Sequence, residues 1–447
     1  MITLRYSSVG QLNKRPDTSL ISPPAKRGWS PIMRHAILLS VLMLVFLLLI
    51  ACGNENGTKP PLTQSPEEAT PAKDVVITIG NLSDLTGPAA NAMEYINNAL
   101  NDVVEYYNEE NLIPGMRLKV ETYDSQWDTS KIIPGYLWLR NRGADVIWTP
   151  VVPAAATLKP TADKDKCPIF AASVTRDILI PGGYVFSLGT IPQYDAYTLL
   201  QWIAENDWDY ETNGPARIGG AAWADGYNNA VFNAMKDYAD AHPEQFDFVE
   251  GYLTDFTFEW GAQIQGLKDC DYVWPPVPMH KFIQDYQAAG YNAKFIGSDP
   301  HAAFLGMIDT GKLWEEIGGM LFIRGSRWWT EEGKIIDLTR ELLFENHPGE
   351  AEDIIRSGVG YLSVSAVYQL CDIIGNAAEE VGPANVDSQA IYEAAVSYSE
   401  VIDGVERYTF NETKRCSTNY YVIYEVDAEK RNLFRADPEW LSLITEP

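Results

Sequence analysis

From Asp74 onward, short apolar runs rich in β-branched residues alternate with longer amphipathic stretches. The first half of this pattern predicts five strands, at 75–80, 117–124, 145–149, 168–172 and 184–188. Helices are predicted between them at about 90–108 and 129–141. Strands that alternate with helices favour a parallel sheet covered on both faces.

The same rhythm restarts after residue 190. Helices are predicted at 194–206 and 227–241, and strands at 216–223, 246–253, 272–275, 293–297 and 319–323. Longer helices follow at 331–346, 358–380 and 387–399. The segments 407–411 and 420–426 are predicted to form an antiparallel hairpin. Two α/β units of similar architecture are therefore expected.

The apolar run at 37–50 contains no charge and follows Arg34 and His35. It is shorter than the roughly 20 residues that span a bilayer as a helix, and it has the length of a signal-peptide core. Leu49, Ile50, Ala51 and Cys52 resemble the bacterial lipobox, whose Cys is lipidated and becomes the mature N-terminus. Residues 1–51 are therefore predicted to be a cleaved lipoprotein signal peptide. The alternatives are a membrane anchor or a buried helix.

The leader contains a second methionine, Met33, which opens a more ordinary signal sequence and is a candidate start. Residues 53–73 contain four prolines and show no apolar periodicity. Residues 52–73 are predicted to be a disordered tether that holds the folded part away from the membrane.

The chain is strongly acidic, with a formal net charge of -27 over 447 residues. Removing the leader takes away six basic residues and one acidic residue, which gives -32. Such a field argues against nucleic acid and anionic lipid surfaces as partners. Solubility in a salty exterior is the simpler explanation of the charge. About 395 residues exceed what one hydrophobic core normally supports, so two lobes are expected.

Four cysteines remain besides Cys52, at Cys167, Cys270, Cys371 and Cys416. An even number in an oxidising compartment allows three pairings into two disulfides. Free, buried thiols are an equal alternative. None of the spacings is CxxC, so a metal or redox site has little support.

The sequence contains none of the common enzyme motifs named below. The five histidines have no HExxH spacing, and the chain contains neither a G-x-S-x-G elbow nor a G-x-x-x-x-G-K-[ST] phosphate loop. Gly219-Gly220 lacks the spacing of a dinucleotide site. We therefore expect a binding protein that is not an enzyme and needs no cofactor or metal.

An ordered set of segments identifies the family that this chain resembles. The set is ITIGNLSDLTGP, KVETYDSQWDT, a Gly-Ala-Asp-Val strand, CPIFAAS, YVFSLGTIPQYDA and KFIGSDP. In this order it resembles the branched-chain amino acid type of extracytoplasmic solute-binding protein, over roughly 75–426. The resemblance implies a type I periplasmic-binding fold of two doubly wound α/β lobes joined by a three-segment hinge. It also implies a small-molecule ligand, an amino acid or an amino-acid-like amide or amine, delivered to an ABC transporter permease.

The family's organisation sets the expected domain boundaries. Lobe 1 would be 75–190 plus 327–402, and lobe 2 would be 191–326 plus 403–430, followed by a C-terminal tail at 431–447. Trp328-Trp329 would mark the second hinge segment. A membrane-tethered sensor of the same fold is the alternative function.

In lobe 1 the resemblance points to loops that follow strands, where open α/β sheets bind ligands. Ser83, Thr86 and Gly87 match the family's first ligand loop, although this loop would also cap the next helix. The loop at 149–157 lacks the family's carboxylate-binding Ser, and Pro153 and alanines occupy it. Ser173 is the preferred hydroxyl donor after the next strand, and Thr175 is its alternative.

In lobe 2, Trp223, Asp225 and Tyr227 follow a strand where the family carries a Tyr-Gly. Asp299 matches an acidic position that pairs with the ligand ammonium in the family, and a helix cap is the alternative. A further acidic position falls on Pro192.

Three tryptophans, Trp127, Trp148 and Trp223, stand at strand ends, where an aromatic face suits apolar groups, sugars or quaternary ammonium. Core packing is the commoner explanation for each tryptophan alone.

Overall fold

The computed structural model describes residues 74–447. The predicted leader at 1–51 and the tether at 52–73, with Cys52, lie outside the described residues.

The first sheet has five parallel strands in the order β2-β1-β3-β4-β5. These strands are β1 (Val75–Ser83), β2 (Met116–Asp124), β3 (Ala144–Thr149), β4 (Ile169–Ser173) and β5 (Val185–Thr190). Its connecting helices are α1 (Ala90–Glu109), α2 (Ile132–Asn141), α3 (Val152–Asp165) and α4 (Arg176–Leu179). Because β1 and β2 pair in parallel, Ser83 lies opposite Asp124 at their carboxyl ends.

The second sheet has the order β14-β13-β10-β9-β8-β6-β7, and β15 pairs with β13. Its parallel strands are β6 (Ala216–Trp223), β7 (Phe246–Thr254), β8 (Tyr272–Trp274), β9 (Lys294–Ser298) and β10 (Leu321–Arg324). Antiparallel to these runs β13 (Tyr420–Asp427), which also pairs with β14 (Asn432–Arg435) and β15 (Leu441–Ser442). The helices in this part are α5 (Pro192–Asn206), α6 (Tyr210–Asn213), α7 (Gly226–Ala241), α8 (Gly261–Gly266), α9 (His280–Ala288), α10 (Asp299–Ala302) and α11 (Leu305–Gly311).

The chain passes three times between the two sheets. It leaves the first sheet after β5 and leaves the second sheet after β10, entering α12 (Lys334–Asn346), α13 (Ala351–Ser357), α14 (Val364–Val381) and α15 (Ser388–Val396). Both α12 and α14 contact α1, so these helices cover the first sheet. The third passage runs beside β5, where the Ser187 N–H donates to the Arg415 carbonyl at 2.7 Å. The fold is thus two doubly wound α/β lobes joined by a three-segment hinge, as the sequence predicts. We call the parts around the first and second sheets the first and second lobe.

Two local predictions are wrong. The segment at 149–157 is not a loop, because α3 begins at Val152. Proline in the first turn of a helix satisfies the geometry there, and the alanines that follow are good helix formers.

The hairpin predicted from 407–411 and 420–426 is also wrong, because only an isolated antiparallel bridge, between Tyr408 and Thr418, joins these parts of the chain. Instead β11 (Ser399–Ile402) pairs with β12 (Val405–Thr409), and β13 joins the second sheet. The turn between β11 and β12 is Asp403-Gly404, and both residues have positive φ, at 53° and 81°. An Asp-Gly pair with this backbone is a strong signal for a two-residue hairpin.

Three apolar clusters fill the lobes. One lies between the first sheet and α2 and α3, and a second lies between the second sheet and α5 and α7. The largest covers the remaining faces and contains Trp328 and Trp148, which is fully buried. Trp328 and Trp329 follow β10, where their indole N–H groups donate to Asn432 Oδ1 at 2.7 Å and the Gly358 carbonyl at 2.9 Å.

The four cysteines of the described chain are all buried and free: Cys167, Cys270, Cys371 and Cys416. Burial raises the pKa of Cys167 and of Cys416 to about 11, and that of Cys270 to about 12. Of the two alternatives that the sequence leaves open, free thiols are therefore the one observed. Within residues 74–447, no helix has the length and apolar character needed to cross a membrane.

Candidate functional site

The loop after β1 is held by a buried acid. Asp84 is fully buried, and its carboxylate accepts hydrogen bonds from the Gly87 N–H at 2.5 Å and the Ala89 N–H at 2.9 Å. The Gly87 N–H is therefore already used within the chain. Ser83 is also fully buried, and its hydroxyl has no hydrogen-bond partner. A polar group next to Ser83 would satisfy this hydroxyl.

Thr86 ties the loop to the end of β2. Its hydroxyl donates to Asp124 Oδ2 at 2.6 Å and accepts from Gln126 Nε2 at 2.8 Å. Gln126 and Trp127 both have a positive φ of 55°. The indole of Trp127 is half-buried against the cluster between the first sheet and α2 and α3. Thr86 and Trp127 thus lie on one side of the first lobe, at the carboxyl ends of β1 and β2.

The next two strands end close to the second lobe. Thr149 ends β3 and donates through its hydroxyl to the Leu82 carbonyl at 2.8 Å, and Val152 at the start of α3 packs against the core of the second lobe. Ser173 ends β4 and is half-buried, and Thr175 precedes α4.

Between the segment that contains Thr175 and the helices α5 and α7 there is a cleft of about 700 Å³. Its lining comes from both lobes: Thr175, Arg176, Asp177, Ile180, Gln193, Tyr197, Gly226, Asn229, Ala230, Asn233, Ala234 and Asp237. A volume of this size falls in the range of small-molecule sites. At one side of the cleft, Arg176 pairs with Glu446, with 3.3 Å between Nη1 and Oε2. We call this space the interlobe cleft.

The second lobe holds a set of polar side chains, all buried except the half-buried Asp299, that we call the carboxylate cluster: Asp195, Tyr227, Ser298, Asp299 and Arg324. The Tyr227 hydroxyl lies 3.2 Å from Asp195 Oδ2 and 2.9 Å from Ser298 Oγ. Asp195 is fully buried. Burial raises the pKa of the Asp195 carboxyl well above its usual range.

Asp299 forms an ion pair within the cluster. Its Oδ1 lies 2.9 Å from Arg324 Nη1, and the Arg324 side chain is fully buried. Arg324 also donates to Ser326 Oγ at 2.9 Å, and its guanidinium lies 4.8 Å from the centre of the Trp328 ring. Burial raises the pKa of the Asp299 carboxyl, and Arg324 opposes this rise. The capping box of α10 is made by Ser298 and His301, with Asp299 in the first turn.

At the carboxyl ends of β6 and β7, Trp223 belongs to an aromatic patch formed with Phe256 and Phe258. The ring centroids of Trp223 and Phe256 are 4.2 Å apart, and the indole N–H donates to the Thr257 carbonyl at 2.7 Å. Phe256 is 66% exposed. Asp225 caps α7 by accepting from the Asn228 N–H at 2.8 Å.

The structure thus gathers Tyr227 and Asp299 in one cluster of the second lobe. Thr175 lines the interlobe cleft, whose lining includes neither of them. The remaining predicted residues lie elsewhere along the two sheets. At the end of β1 are Ser83, Thr86 and Gly87, and Trp127 follows β2. At the end of β6, near the edge of the second sheet, are Trp223 and Asp225.

Sequence reasoning missed three members of the site, Asp84, Asp195 and Arg324. Asp195 could have been singled out because it is the lone acid on the apolar face of α5. It lies one turn after Pro192, the first residue of that helix. Arg324 was equally visible as a charge that directly follows the apolar strand Leu321–Ile323. No three or more His, Cys, Asp or Glu side chains come together as a metal site anywhere in residues 74–447.

The model of one protein family, described as periplasmic binding protein, matches residues 76–431. No curated protein sequence is similar enough to this chain to count as a relative.

Solved structures share the fold at low sequence identity. A branched-chain amino acid ABC transporter protein from Thermus thermophilus with bound valine superposes with a TM-score of 0.71 at 17% identity, over 83% of this chain and 97% of that chain. A fatty acid ABC transporter substrate-binding protein from Thermomonospora curvata gives 0.68 at 16% identity, over 82% and 92%. A solute-binding protein from Rhodopseudomonas palustris HaA2 in complex with p-hydroxybenzoic acid gives 0.68 at 14% identity, over 83% and 98%.

Proposed function

From the premise that this chain belongs to the periplasmic binding protein family, the solute-binding proteins of ABC transporters, we propose that it captures a small polar ligand between its two lobes and delivers it to an ABC transporter permease. The ligand class that we propose is an amino acid or an amino-acid-like amide or amine. The family is extracytoplasmic. We further propose that lipid on Cys52 anchors this member to its membrane, because the leader ends in Leu49-Ile50-Ala51-Cys52.

The interlobe cleft is the observation that supports this function best. Its lining comes from α4 and its flanking residues in the first lobe and from α5 and α7 in the second. A ligand that contacts both lobes stabilises the closed arrangement over the open one, because only the closed form makes both sets of contacts. The polar side chains of Thr175, Gln193 and Asn229 in this lining can supply directional hydrogen bonds to such a ligand.

The test is a thermal-shift screen of residues 53–447 against amino acids, amides, polyamines, betaines, sugars and aromatic acids, followed by X-ray scattering with each hit. A ligand present at 100 times its Kd stabilises the folded state by about 2.7 kcal/mol. We expect at least one compound both to raise the melting temperature and to lower the radius of gyration. If no compound in the panel does either, the proposal is contradicted.

A variant with a partly filled cleft tests whether the ligand binds in the interlobe cleft. Asn229 is exposed on α7 and lines the interlobe cleft, so N229W fills part of the cleft. We expect N229W to lose the ligand-induced shift and to keep the unliganded melting temperature. K236W, at an exposed position of the same helix outside the cleft, is the matched control and should respond like wild type.

A further inference from the structure

A small cavity of about 30 Å³ lies where the second and third passages between the lobes meet, and we call it the hinge cavity. Its lining includes Ser326 and Arg327 from the second passage, Thr339 from α12, and Asp403 and Arg407 from the hairpin of β11 and β12. A cavity of this size holds about two water molecules. It is therefore too small for a solute of the kind that fits the interlobe cleft.

Arg407 brings to this cavity a hydrogen-bond donor without a partner. The residue is 4% exposed, and its Nε–H meets no acceptor among residues 74–447. Its Nη2 is used, because it donates to the Gly325 carbonyl at 2.6 Å. Within the same part of the chain, no acidic side chain forms an ion pair with Arg407. A buried charge without a counter-charge is unfavourable, because the solvation by water is lost and nothing replaces it.

Trp440 covers the face of this guanidinium but does not satisfy its N–H groups. The guanidinium carbon of Arg407 lies 3.3 Å from the centre of the Trp440 ring. An aromatic face attracts the cation, whereas the N–H donors of arginine point outward in the plane of the guanidinium. An anion would therefore approach Arg407 in that plane, at the unpaired Nε–H, where it would form a charge-assisted hydrogen bond.

The surroundings of this ring hold more positive than negative charge. Three arginines lie over the ring, with distances from its centre of 3.3 Å for Arg407, 4.6 Å for Arg435 and 5.8 Å for Arg327. Glu331 lies 2.6 Å from Arg435 Nε, and Asp403 lies 3.1 Å from Arg327 Nη2. Burial lowers the pKa of Arg407, and the charges of Arg327 and Arg435 lower it further. Arg407 is thus the cation of this group that is left without an acid.

We propose that the hinge cavity binds one small inorganic anion, a halide such as chloride, with Arg407 as its main partner. Ser326 is a second donor from the lining, because its hydroxyl accepts from Arg324 Nη2 at 2.9 Å and keeps its own proton available. Asp403 repels an anion less than a free carboxylate, since it is paired with Arg327 and accepts from the Lys334 N–H. The anion therefore lies on the Arg407 side of the cavity.

This site goes beyond the proposed function and does not depend on which solute the interlobe cleft takes. Ser326 follows β10 and Arg407 lies on β12, so a bound anion connects the second and third passages between the lobes. Such a connection stabilises the folded protein, because the anion binds the folded state and not the unfolded chain.

The first experiment compares melting temperatures of residues 53–447 in sodium chloride and in sodium gluconate at equal concentrations, because gluconate is too large for the cavity. Arg407→Met removes the cation, and Thr339→Leu fills part of the cavity without changing a charge. Arg117→Met, at an exposed position on β2, is the matched control.

We expect chloride to give wild type and Arg117→Met an advantage over gluconate that is about 1–2 °C larger than in Arg407→Met and Thr339→Leu, and that saturates with chloride concentration. General effects of the two salts cancel, because all four proteins are measured in both. If the difference between the salts is the same in all four proteins, the inference is overturned. Thr339→Leu decides the question if Arg407→Met does not fold.

The second experiment locates the ion by anomalous X-ray diffraction from crystals of residues 53–447 soaked in sodium bromide. We expect a bromine peak in the hinge cavity, beside Arg407 Nε. A cavity that shows water only overturns the inference. A peak without the chloride-dependent difference between the variants in solution means binding at crystal concentration only, and this result overturns it as well.

Discussion

The side chain of Asp195 is fully enclosed by the second lobe, and its Oδ2 accepts a hydrogen bond from the Tyr227 hydroxyl. The groups around it are Tyr227, Tyr421 and Asp299, none of which carries a positive charge. A carboxyl in such surroundings keeps its proton to a higher pH in the folded protein than in the unfolded chain. The folded state is therefore stabilised relative to the unfolded state at low pH, and this advantage is lost as the pH rises above about 4.

We predict that Asp195→Asn stabilises the unliganded protein at pH 8 and has little effect at pH 4, since Asn resembles the protonated acid. The gain comes from removing a carboxyl that would otherwise have to ionise in a site without solvent. Urea unfolding of both proteins between pH 4 and pH 8 measures it. Asp255→Asn, at an exposed position, should show no such pH-dependent gain. A loss of stability in Asp195→Asn at pH 8 would contradict the assignment.

Gly87 is required by close packing. A Cβ on this residue would lie 2.6 Å from Asp84 Oδ1 and 2.6 Å from both the carbonyl carbon and oxygen of Gln126. Backbone atoms of Gln126 cannot move aside as a flexible side chain would.

Gly87→Ala is therefore expected to destabilise the protein by about 1–3 kcal/mol, as overpacking usually does. Thermal unfolding is the measurement, and Gly261→Ala is the control because nothing lies within 4 Å of a Cβ added there. Equal stability of the two variants would refute this explanation of Gly87.

At the scale of elements, the regular parts of the fold were predictable from local pattern. The apolar β-branched run that starts at Val75 is β1, and the amphipathic stretch that starts at Ala90 is α1. The loop expected at 149–157 is instead the start of α3, because the first turn of a helix accepts Pro153. The Asp-Gly pair at 403–404 is a local sequence signal for the turn between β11 and β12.

The site was less predictable, because its key contacts join distant parts of the sequence. Asp299 could be singled out from the segment KFIGSDP. Its ion pair with Arg324 depends on the pairing of β9 with β10, which no local pattern specifies. The pairing of Tyr227 with Asp195 likewise requires α5 and α7 to be packed together.

The segment after β13 is an element that the sequence presents only as a tail. It adds β14 and β15, and its Trp440 ring lies 3.3 Å from the guanidinium carbon of Arg407 on β12. Arg407 is almost completely buried and donates to the Gly325 carbonyl at 2.6 Å. One aromatic ring thus covers an arginine that links the second and third passages between the sheets.

We expect Trp440→Ala to destabilise the protein by about 2 kcal/mol, because a desolvated cation–π contact and apolar packing are both lost. Trp440→Phe keeps a ring and should retain more than half of this stability. Chemical unfolding curves measure both. If the two variants unfold at the same denaturant concentration, the ring is not what stabilises this contact.

For the molecule as a whole, the negative charge and the predicted lipid have opposite effects on attachment to a membrane. Removal of the predicted leader would leave a formal charge of -32, and a protein with this charge would be repelled by an anionic bilayer. The proposed attachment therefore depends on the proposed lipid on Cys52.

Cys52→Ser is therefore expected to move the protein completely from the membrane pellet to the soluble fraction of bacterial cells that express it. Fractionation followed by mass spectrometry of the N-terminal peptide is the measurement. Asn54→Ser, which keeps the thiol, should stay in the pellet. If Cys52→Ser also stays there, the lipid-anchor proposal fails.

The burial of the four cysteines has a practical consequence for measuring lobe motion. Thiol reagents attack the thiolate, and buried thiols with a raised pKa supply little of it. In residues 53–447, fluorescent dyes should therefore attach to newly introduced surface cysteines and spare the native ones. Cysteines introduced at the exposed positions 109 in the first lobe and 240 in the second would each carry one dye. Energy transfer between the two dyes would then report the distance between the lobes in single molecules as ligand binds and dissociates.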